Sequence, residues 1–528
     1  MKVLVAEKIA EAGIGLLRDA GHEVDVKLEL SPEQLISEIV NYQALIIRSA
    51  TRATREVIEA GSQLKIIGRA GVGVDNVDVT TATERGVIVC NAPTSNIISA
   101  AEQTMALLLA VARRTPQANA SMKAHQWDRG RFTGSELYQK TLAIFGLGRI
   151  GGLVAERARA FEMRLIGFDP YCSPERAAHL GVTLYDNIDE ILPQADFITV
   201  HLPKTNETIG MFGPEQFARM KDGVYLVNTA RGGIYNIDSL ADFVAAGKIA
   251  AAGIDVFEKE PCTDSPLHEF ENIILTPHLG ASTVEAQARA GLQIAEYVRL
   301  GLEGKMVPTA VNVDLVPEDV MSAVAPFIDA CQLGGVILAQ LASEAISSLT
   351  VNVSGDLSGY DVSLLGTSAL RGIFSRSSDD PVNLVNAAYI AEQRGVNLTI
   401  NTDPLHYEYA SEVSLVAHSG NRDIEIGLTI SGPSGLVRIV SVFGYRLDLI
   451  PRENILILRY EDTPGKLGRI GTVLGNANIN IATMEIGILE EGQAEAIVLM
   501  NVSEPVGDAV FAELKEVVGV TEGWRVNL

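Results

Sequence analysis

Leu142-Ala-Ile-Phe145-Gly146-Leu-Gly148-Arg149-Ile150-Gly151-Gly-Leu-Val-Ala-Glu-Arg-Ala-Arg-Ala160 is the stretch that decides the fold. A short apolar run meets glycines spaced Gly-x-Gly-x-x-Gly, and an amphipathic stretch follows. The pattern predicts a strand over Leu142–Phe145, a tight turn, and a helix from Gly151 to Ala160. Gly146 allows the turn, Gly148 lets backbone N–H groups approach a pyrophosphate, and Gly151 lets helix and strand pack closely. Arg164–Phe168 reads as the next strand, and Asp169 follows Gly151 by 18 residues. An acid at that distance takes the hydroxyls of an adenosine ribose. Its charge repels a 2′-phosphate, and Tyr171, with no Arg after the acid, points the same way, to NAD rather than NADP. Glycines alone would be a weak signal. Strand, glycines, helix, strand and acid in that order are a strong one.

Working outward, β-branched runs alternate with amphipathic stretches through residues 1–312, the sign of parallel α/β sheets. Further strands are expected at Lys2–Val5, Ala44–Ile47, Lys65–Gly68, Val87–Cys90, Phe197–Val200, Tyr225–Asn228 and Ile273–Leu275. A helix from Ser99 to Arg113 reads as a crossing between two lobes. A second, from Val284 to Leu302 and ended by Gly304, reads as the return, which makes the first domain discontinuous. Past Asn312 the texture changes to a helix-rich stretch and then strands at Leu349–Val353, Val396–Ile400, Val413–Ala417, Ile424–Ile430 and Leu436–Tyr445. No cluster of His, Cys or carboxylates stands out there, so the reading is a structural or regulatory domain. Arg371, Arg376 and Arg394 could bind an anion, but a solvated face is the plainer reading. Residues 453–528 read as a separate unit in β-α-β-β-α-β order.

The chain's 528 residues suffice for three or four domains, and 47% hydrophobic with 20% charged residues fits a globular protein. No uncharged apolar run reaches the ~18 residues of a membrane span. Met1-Lys-Val-Leu-Val-Ala reads as a strand rather than a cleavable leader. The four cysteines are scattered without CxxC spacing, so neither a metal site nor a disulfide framework is expected, and a cytoplasmic location fits. A net charge of −24 argues against a nucleic-acid partner. A local pocket built from Arg48, Arg52, Arg69 and Arg231 leaves a small anionic substrate open.

Downstream of the glycines stand Asn228-Thr229-Ala230-Arg231, Asp255-Val-Phe-Glu-Lys-Glu260-Pro261 and Pro277-His278-Leu-Gly280. Removing hydride from a carbon that bears a hydroxyl beside a carboxylate makes three demands. The carboxylate must be clamped, the hydroxyl proton needs an acceptor that titrates near neutrality, and that acceptor must be oriented. Arg231 supplies a planar clamp and His278 the base. Glu260 fixes the base's tautomer and stabilises its charged form. Singly, a Glu before Pro is ordinarily a loop carboxylate and a His after Pro a turn residue. The set together, after a dinucleotide signature, points to chemistry. His22, His125, His179, His201, His268, His406 and His418 have no such company and read as surface or packing residues.

These motifs resemble the D-isomer-specific 2-hydroxyacid dehydrogenases over residues 1–312. Supporting runs are Ile47-Arg48-Ser49-Ala50-Thr51, Gly68-Arg-Ala-Gly71-Val72-Gly73-Val-Asp75-Asn76-Val77, Asn91-Ala-Pro-Thr-Ser-Asn96 and His278-Leu-Gly-Ala-Ser-Thr283. The full layout looks like the long-form phosphoglycerate dehydrogenases of that family. The implied fold class is α/β, with a Rossmann-type NAD domain (98–284) inserted in a flavodoxin-like substrate domain (1–97 and 285–312). An α+β intervening domain (313–452) and a ferredoxin-like βαββαβ ACT domain (453–528) follow. The implied activity is NAD-dependent oxidation of 3-phospho-D-glycerate to 3-phosphohydroxypyruvate, the first step of L-serine biosynthesis. Arg149 and Ile150 would then meet the pyrophosphate, and Thr229, Ala230, Asp255 and His278 the nicotinamide end. Arg48, Ser49, Gly71, Val72, Gly73 and Asn96 would bind the substrate. Trp127-Asp-Arg129-Gly-Arg131 matches a segment that reaches a neighbouring subunit's site, so Arg129 and Arg131 would contact phosphate across a dimer or tetramer. Tyr460, Asp462 and, from a paired domain, Asn480 would hold an effector such as L-serine. Asn236 departs from the family, where an acid is common. Other readings are a hydroxypyruvate or glyoxylate reductase and, in a different class, an NAD(H)-sensing scaffold.

Overall fold

The computed structural model describes the chain apart from residues 314–317, 379–380, 406, 433–434 and 489–494; the reading of His406 lies outside the described residues. The first sheet holds β1 (Lys2–Val5), β2 (Glu23–Val26), β3 (Ala44–Ile47), β4 (Ile66–Arg69) and β5 (Ile88–Asn91). All pair in parallel in the order β2-β1-β3-β4-β5, the flavodoxin-like arrangement. Helix Val284–Leu302 returns to cover it. A Cβ at Gly68 would lie 2.7 Å from Val298 and 2.8 Å from Ile294, so glycine is what lets helix and strand approach.

The second sheet holds β6 (Thr141–Phe145), β7 (Arg164–Phe168), β8 (Val182–Leu184), β9 (Phe197–Val200), β10 (Val224–Asn228), β11 (Ile249–Ile254) and β12 (Ile273–Leu275). Its parallel order β8-β7-β6-β9-β10-β11-β12 is the Rossmann order with a seventh strand. Strand order reverses between β6 and β9, and ligands bind beyond the carboxyl ends of strands at such a point. Three strands escaped the sequence reading: β2 and β8, which are short edges, and β11, whose Ile-Ala-Ala-Ala-Gly-Ile lacks β-branched density. Its small residues admit helix Ile97–Arg113, and a Cβ at Gly253 would meet Leu107 at 3.0 Å.

The third sheet holds β13 (Ile346–Gly355), β14 (Asn397–Asp403), β15 (Ser411–Ser419), β16 (Arg422–Ser431), β17 (Leu436–Val442) and β18 (Tyr445–Leu449). Only β13 and β14 run parallel. The single strand expected at Leu436–Tyr445 is instead a hairpin. Phe443 (φ 51°) and Gly444 (φ 81°) are both left-handed, as a tight two-residue turn requires. Helix Glu318–Leu341 contains the one described segment, Val320–Leu341, long and apolar enough by length and composition to cross a membrane. Here it lies on the sheet, its Gly334 against Leu415 and Leu428 and its Gly335 against the Ala369 carbonyl.

The last sheet holds β19 (Asn454–Glu461), β20 (Ile481–Ile488), β21 (Glu495–Val502) and β22 (Val520–Asn527), antiparallel in the order β20-β21-β19-β22. Helices Lys466–Asn476 and Asp508–Leu514 cover the face of Leu456, Leu458 and Tyr460. The opposite face, with Ile455, Ile457, Ile497 and Leu499, joins the core of the third sheet. Residues 453–528 thus have a core of their own on one face and share a second with the third sheet on the other. Phe443 stacks on Trp524 at 4.9 Å, and Arg459 lies over Phe443 at 5.0 Å while pairing with Glu522 at 2.7 Å. The third domain also touches the first, through Asn383 Nδ2 donating to Gly86 O (2.7 Å) and Tyr389 to Glu84 (3.3 Å).

Candidate active site

The glycine turn after β6 is built as a cradle. Gly146 takes φ +91°, and a Cβ there would lie 2.7 Å from His201 O. A Cβ at Gly151 would fall 1.9 Å from Gly146 O, so helix Arg149–Ala160 can leave the strand only from a glycine. Gly148, the N-cap, has nothing within 4 Å of its Cβ position and faces open space at a helix N-terminus. Arg149 and Ile150 form the first helical residues. Asp169 accepts from Leu147 N (2.7 Å) and Tyr171 N (2.9 Å), with acceptor capacity left over. An open glycine at a helix N-terminus with a carboxylate beside it fits a dinucleotide. Arg176, missed in the sequence, donates to Leu147 O (3.2 Å) and Gly148 O (3.4 Å) and borders the same cradle.

Arg231, Glu260 and His278 follow β10, β11 and β12, so three parallel strand ends deliver them to one place. His278 Nδ1 lies 2.7 Å from Glu260 Oε2, and Glu260 Oε1 accepts from Phe257 N at 3.0 Å. Burial works against the Glu260 charge. The His278 hydrogen bond, the Phe257 N–H and the charges of His278 and Arg231 outweigh it, holding the carboxyl below its ordinary value. An ionised carboxylate only accepts, so the ring carries a proton on Nδ1, and neutral imidazole then leaves Nε2 as acceptor. His278 stands at φ 53°, a conformation that needs outside support. Asp255 gives it: its carbonyl accepts His278 N (2.9 Å), and its buried carboxylate accepts Thr276 Oγ1 (2.5 Å), Leu279 N (2.8 Å) and Gly280 N (2.9 Å). Beside these, Thr229 Oγ1 lies 2.7 Å from Thr104 Oγ1, and Ala230 N donates to Asn228 Oδ1 (2.9 Å).

The first sheet brings its own strand ends to the same cleft. A Cβ at Gly73 would lie 3.0 Å from Arg231 Nη2, and one at Gly71 only 1.8 Å from Arg69 Nη1. Guanidinium groups thus rest directly on the glycine segment, where Val72 O accepts from Asn91 Nδ2 at 2.6 Å. Arg48 and Ser49 follow β3, and Asn96 stands at the N-cap position of helix Ile97–Arg113 without a side-chain capping bond. Asn96 Oδ1 and Arg69 Nε are buried without a partner, one acceptor and one donor of the kind a bound ligand satisfies. Arg69, named in the sequence only as a possible pocket cation, has its pKa lowered by burial first and then by the Arg231 charge. Its place at the carboxyl end of a parallel strand was the available signal.

Other expected residues lie elsewhere. Arg131 is tied to Glu271 (2.6 Å), before β12, whereas His278 follows β12, so the two stand at opposite ends of that strand. Arg129 is exposed. Within one chain neither joins the His278 group. Tyr460, expected to meet an effector, is instead a core residue, 1% exposed, because strand alternation points it at the covering helices. Asp462 precedes helix Lys466–Asn476 and Asn480 follows it, so within one chain the helix separates them. Asn236 caps helix Ile237–Ala245 by accepting from Ser239 N (2.9 Å), as an acid would. Arg376 and Arg394 are engaged within the chain, with Asn527 O and with Ser377. Among the described residues no group of three or more His, Cys, Asp or Glu side chains could hold a metal ion.

Residues 105–280 match the NAD binding domain of D-isomer specific 2-hydroxyacid dehydrogenases, residues 323–443 the D-3-phosphoglycerate dehydrogenase intervening domain, and residues 454–519 the ACT domain. D-3-phosphoglycerate dehydrogenase of Mycobacterium leprae is 46% identical over 98% of this chain and 99% of its own. The chain belongs to the D-3-phosphoglycerate dehydrogenase family. The enzyme of that name from Methanocaldococcus jannaschii is 40% identical across the full length of both. A solved glyoxylate reductase covers 59% of this chain and 98% of its own, at 29% identity and a TM-score of 0.54. As a family member the chain is an NAD-dependent dehydrogenase with an ACT domain.

Proposed function

We propose that the chain oxidises 3-phospho-D-glycerate to 3-phosphohydroxypyruvate, with His278 as general base, Glu260 as its orienter and Arg231 as the carboxylate clamp. The 2.7 Å Glu260–His278 hydrogen bond carries this reading, because it leaves Nε2 free to accept a hydroxyl proton. Bound NAD⁺ supplies the hydride acceptor. Arg231 holds the C1 carboxylate and polarises C2, and His278 takes the hydroxyl proton as the C2–H bond breaks. Arg48, Ser49, the 71–73 segment and Asn96 hold the substrate's carboxylate or phosphate arm, with Arg129 and Arg131 added at the phosphate from a neighbouring subunit. Gly146, Gly148, Arg149, Ile150, Gly151 and Asp169 hold the adenosine and pyrophosphate end. Thr229, Ala230 and Asp255 border the nicotinamide.

The proposal includes the division into substrate (1–97, 285–312), NAD (98–284), intervening (313–452) and ACT (453–528) domains. It also includes a homodimer or homotetramer in the cytoplasm and feedback by L-serine at the ACT domain. The catalytic assignment is tested by Arg231→Ala. Activity should fall ~10²–10³-fold with NADH binding retained, and unchanged turnover would refute the clamp.

A further inference from the structure

We infer that Glu7 is a positioning residue for the substrate arm, holding the loop that carries Arg48 and Ser49; this rests on the proposed function. Glu7 lies just beyond β1, half-buried and outside the groups assigned above. Its Oε1 accepts from Arg48 N (2.8 Å) and Thr51 N (2.8 Å), and its Oε2 from Ala50 N (3.3 Å). From the other side, Asn76 Nδ2 donates to Arg48 O (2.6 Å) and Thr51 O (2.6 Å), and Ala53 N donates to Asn76 O (2.9 Å). Loop 48–53 is therefore clamped by a carboxylate on its donors, from the end of β1, and an amide on its acceptors, from the loop after β4.

Converging backbone N–H groups ordinarily make an anion nest. Here an internal carboxylate fills it, so a substrate phosphate meets the Arg48 and Ser49 side chains instead of the loop backbone. Among the described residues the Arg48 guanidinium makes only a long contact, 3.4 Å to Lys8 O, which leaves it able to turn to a ligand. Glu7 also sets a negative charge near the buried Arg69, beside Arg231, easing the gathering of like charges. Glu7 would thus govern recognition of the distal phosphate and leave the chemistry at C2 alone.

The test uses the full-length chain with NADH and either 3-phosphohydroxypyruvate or unphosphorylated hydroxypyruvate. Glu7→Ala should raise KM for the phosphorylated substrate ~10-fold, the worth of a charge-assisted contact, with kcat within about threefold. The preference for the phosphorylated substrate should fall by the same factor, while KM for NADH stays put. Glu7→Gln keeps one acceptor oxygen and should do less. In an Arg48→Ala background, Glu7→Gln should add under about twofold, since coupled residues are not additive. If Glu7→Ala does not fold, that Gln–Arg48 cycle carries the test. Unchanged preference in both Glu7 variants, or fully independent effects of Glu7→Gln and Arg48→Ala, would overturn the inference. A wild type with no preference for the phosphorylated substrate would overturn the proposed function first, and this inference with it.

Discussion

In the first half of the chain, parallel strands carry polar side chains at their carboxyl ends to one cleft: Glu7, Arg48, Arg69, Arg231, Glu260 and His278. In the second half, largely antiparallel sheets bury apolar faces against helices and each other, and Arg459 over Phe443 and Glu522 beside Arg422 join the last sheet to the third. Parallel strands share one direction, so residues far apart in sequence end at one edge. Antiparallel strands alternate, and no one edge collects their ends. The difference in backbone pairing therefore concentrates chemistry in one half and spreads contact in the other.

If that contrast is right, substitutions in the two halves should separate cleanly into lost turnover and lost stability. Glu260→Gln should lower kcat roughly 10- to 100-fold, the value of one charge-assisted hydrogen bond, measured by NADH absorbance. Wild-type turnover in that variant would break the comparison on the catalytic side. Trp524→Ala should leave kcat within about twofold and lower the unfolding temperature by roughly 2–6 °C, from a lost aromatic stack. A large loss of kcat without a shift in melting would break it on the other side. The smallest effect concerns acid. The Glu260 carboxyl titrates below its ordinary 4.5, so its pairing stabilises the fold above that pH and is lost as pH falls through the lowered value. The gap in melting temperature between wild type and Glu260→Gln should therefore shrink on acidification below 4.5, and a gap that widened would contradict the sign.

How far the sequence carried follows the same division. Gly146, Gly148, Gly151, Asp169, Arg231, Glu260 and His278 could be singled out because each is a residue type suited to one task at a telling spacing. Glu7 and Asn76 were not, because an ordinary acid or amide gains its role only when distant segments are brought together, and Arg69 showed only as one of four possible pocket cations. β11 was hidden because alanines that suit a close helix carry no strand signal. The hairpin at Phe443–Gly444 was hidden because Phe is a poor marker of a left-handed turn. The shared core of the last two sheets had a readable sign. Ile455-Leu-Ile-Leu458 does not alternate, as a strand covered on both faces need not.

The proposed phosphoglycerate oxidation turns on His278, oriented by Glu260, as its base. Its most direct test compares wild type with His278→Ala, measuring NADH oxidation with 3-phosphohydroxypyruvate alongside NADH binding by fluorescence. A ~10²–10⁴-fold loss of turnover is expected, with binding kept. Turnover in His278→Ala close to wild type would contradict it.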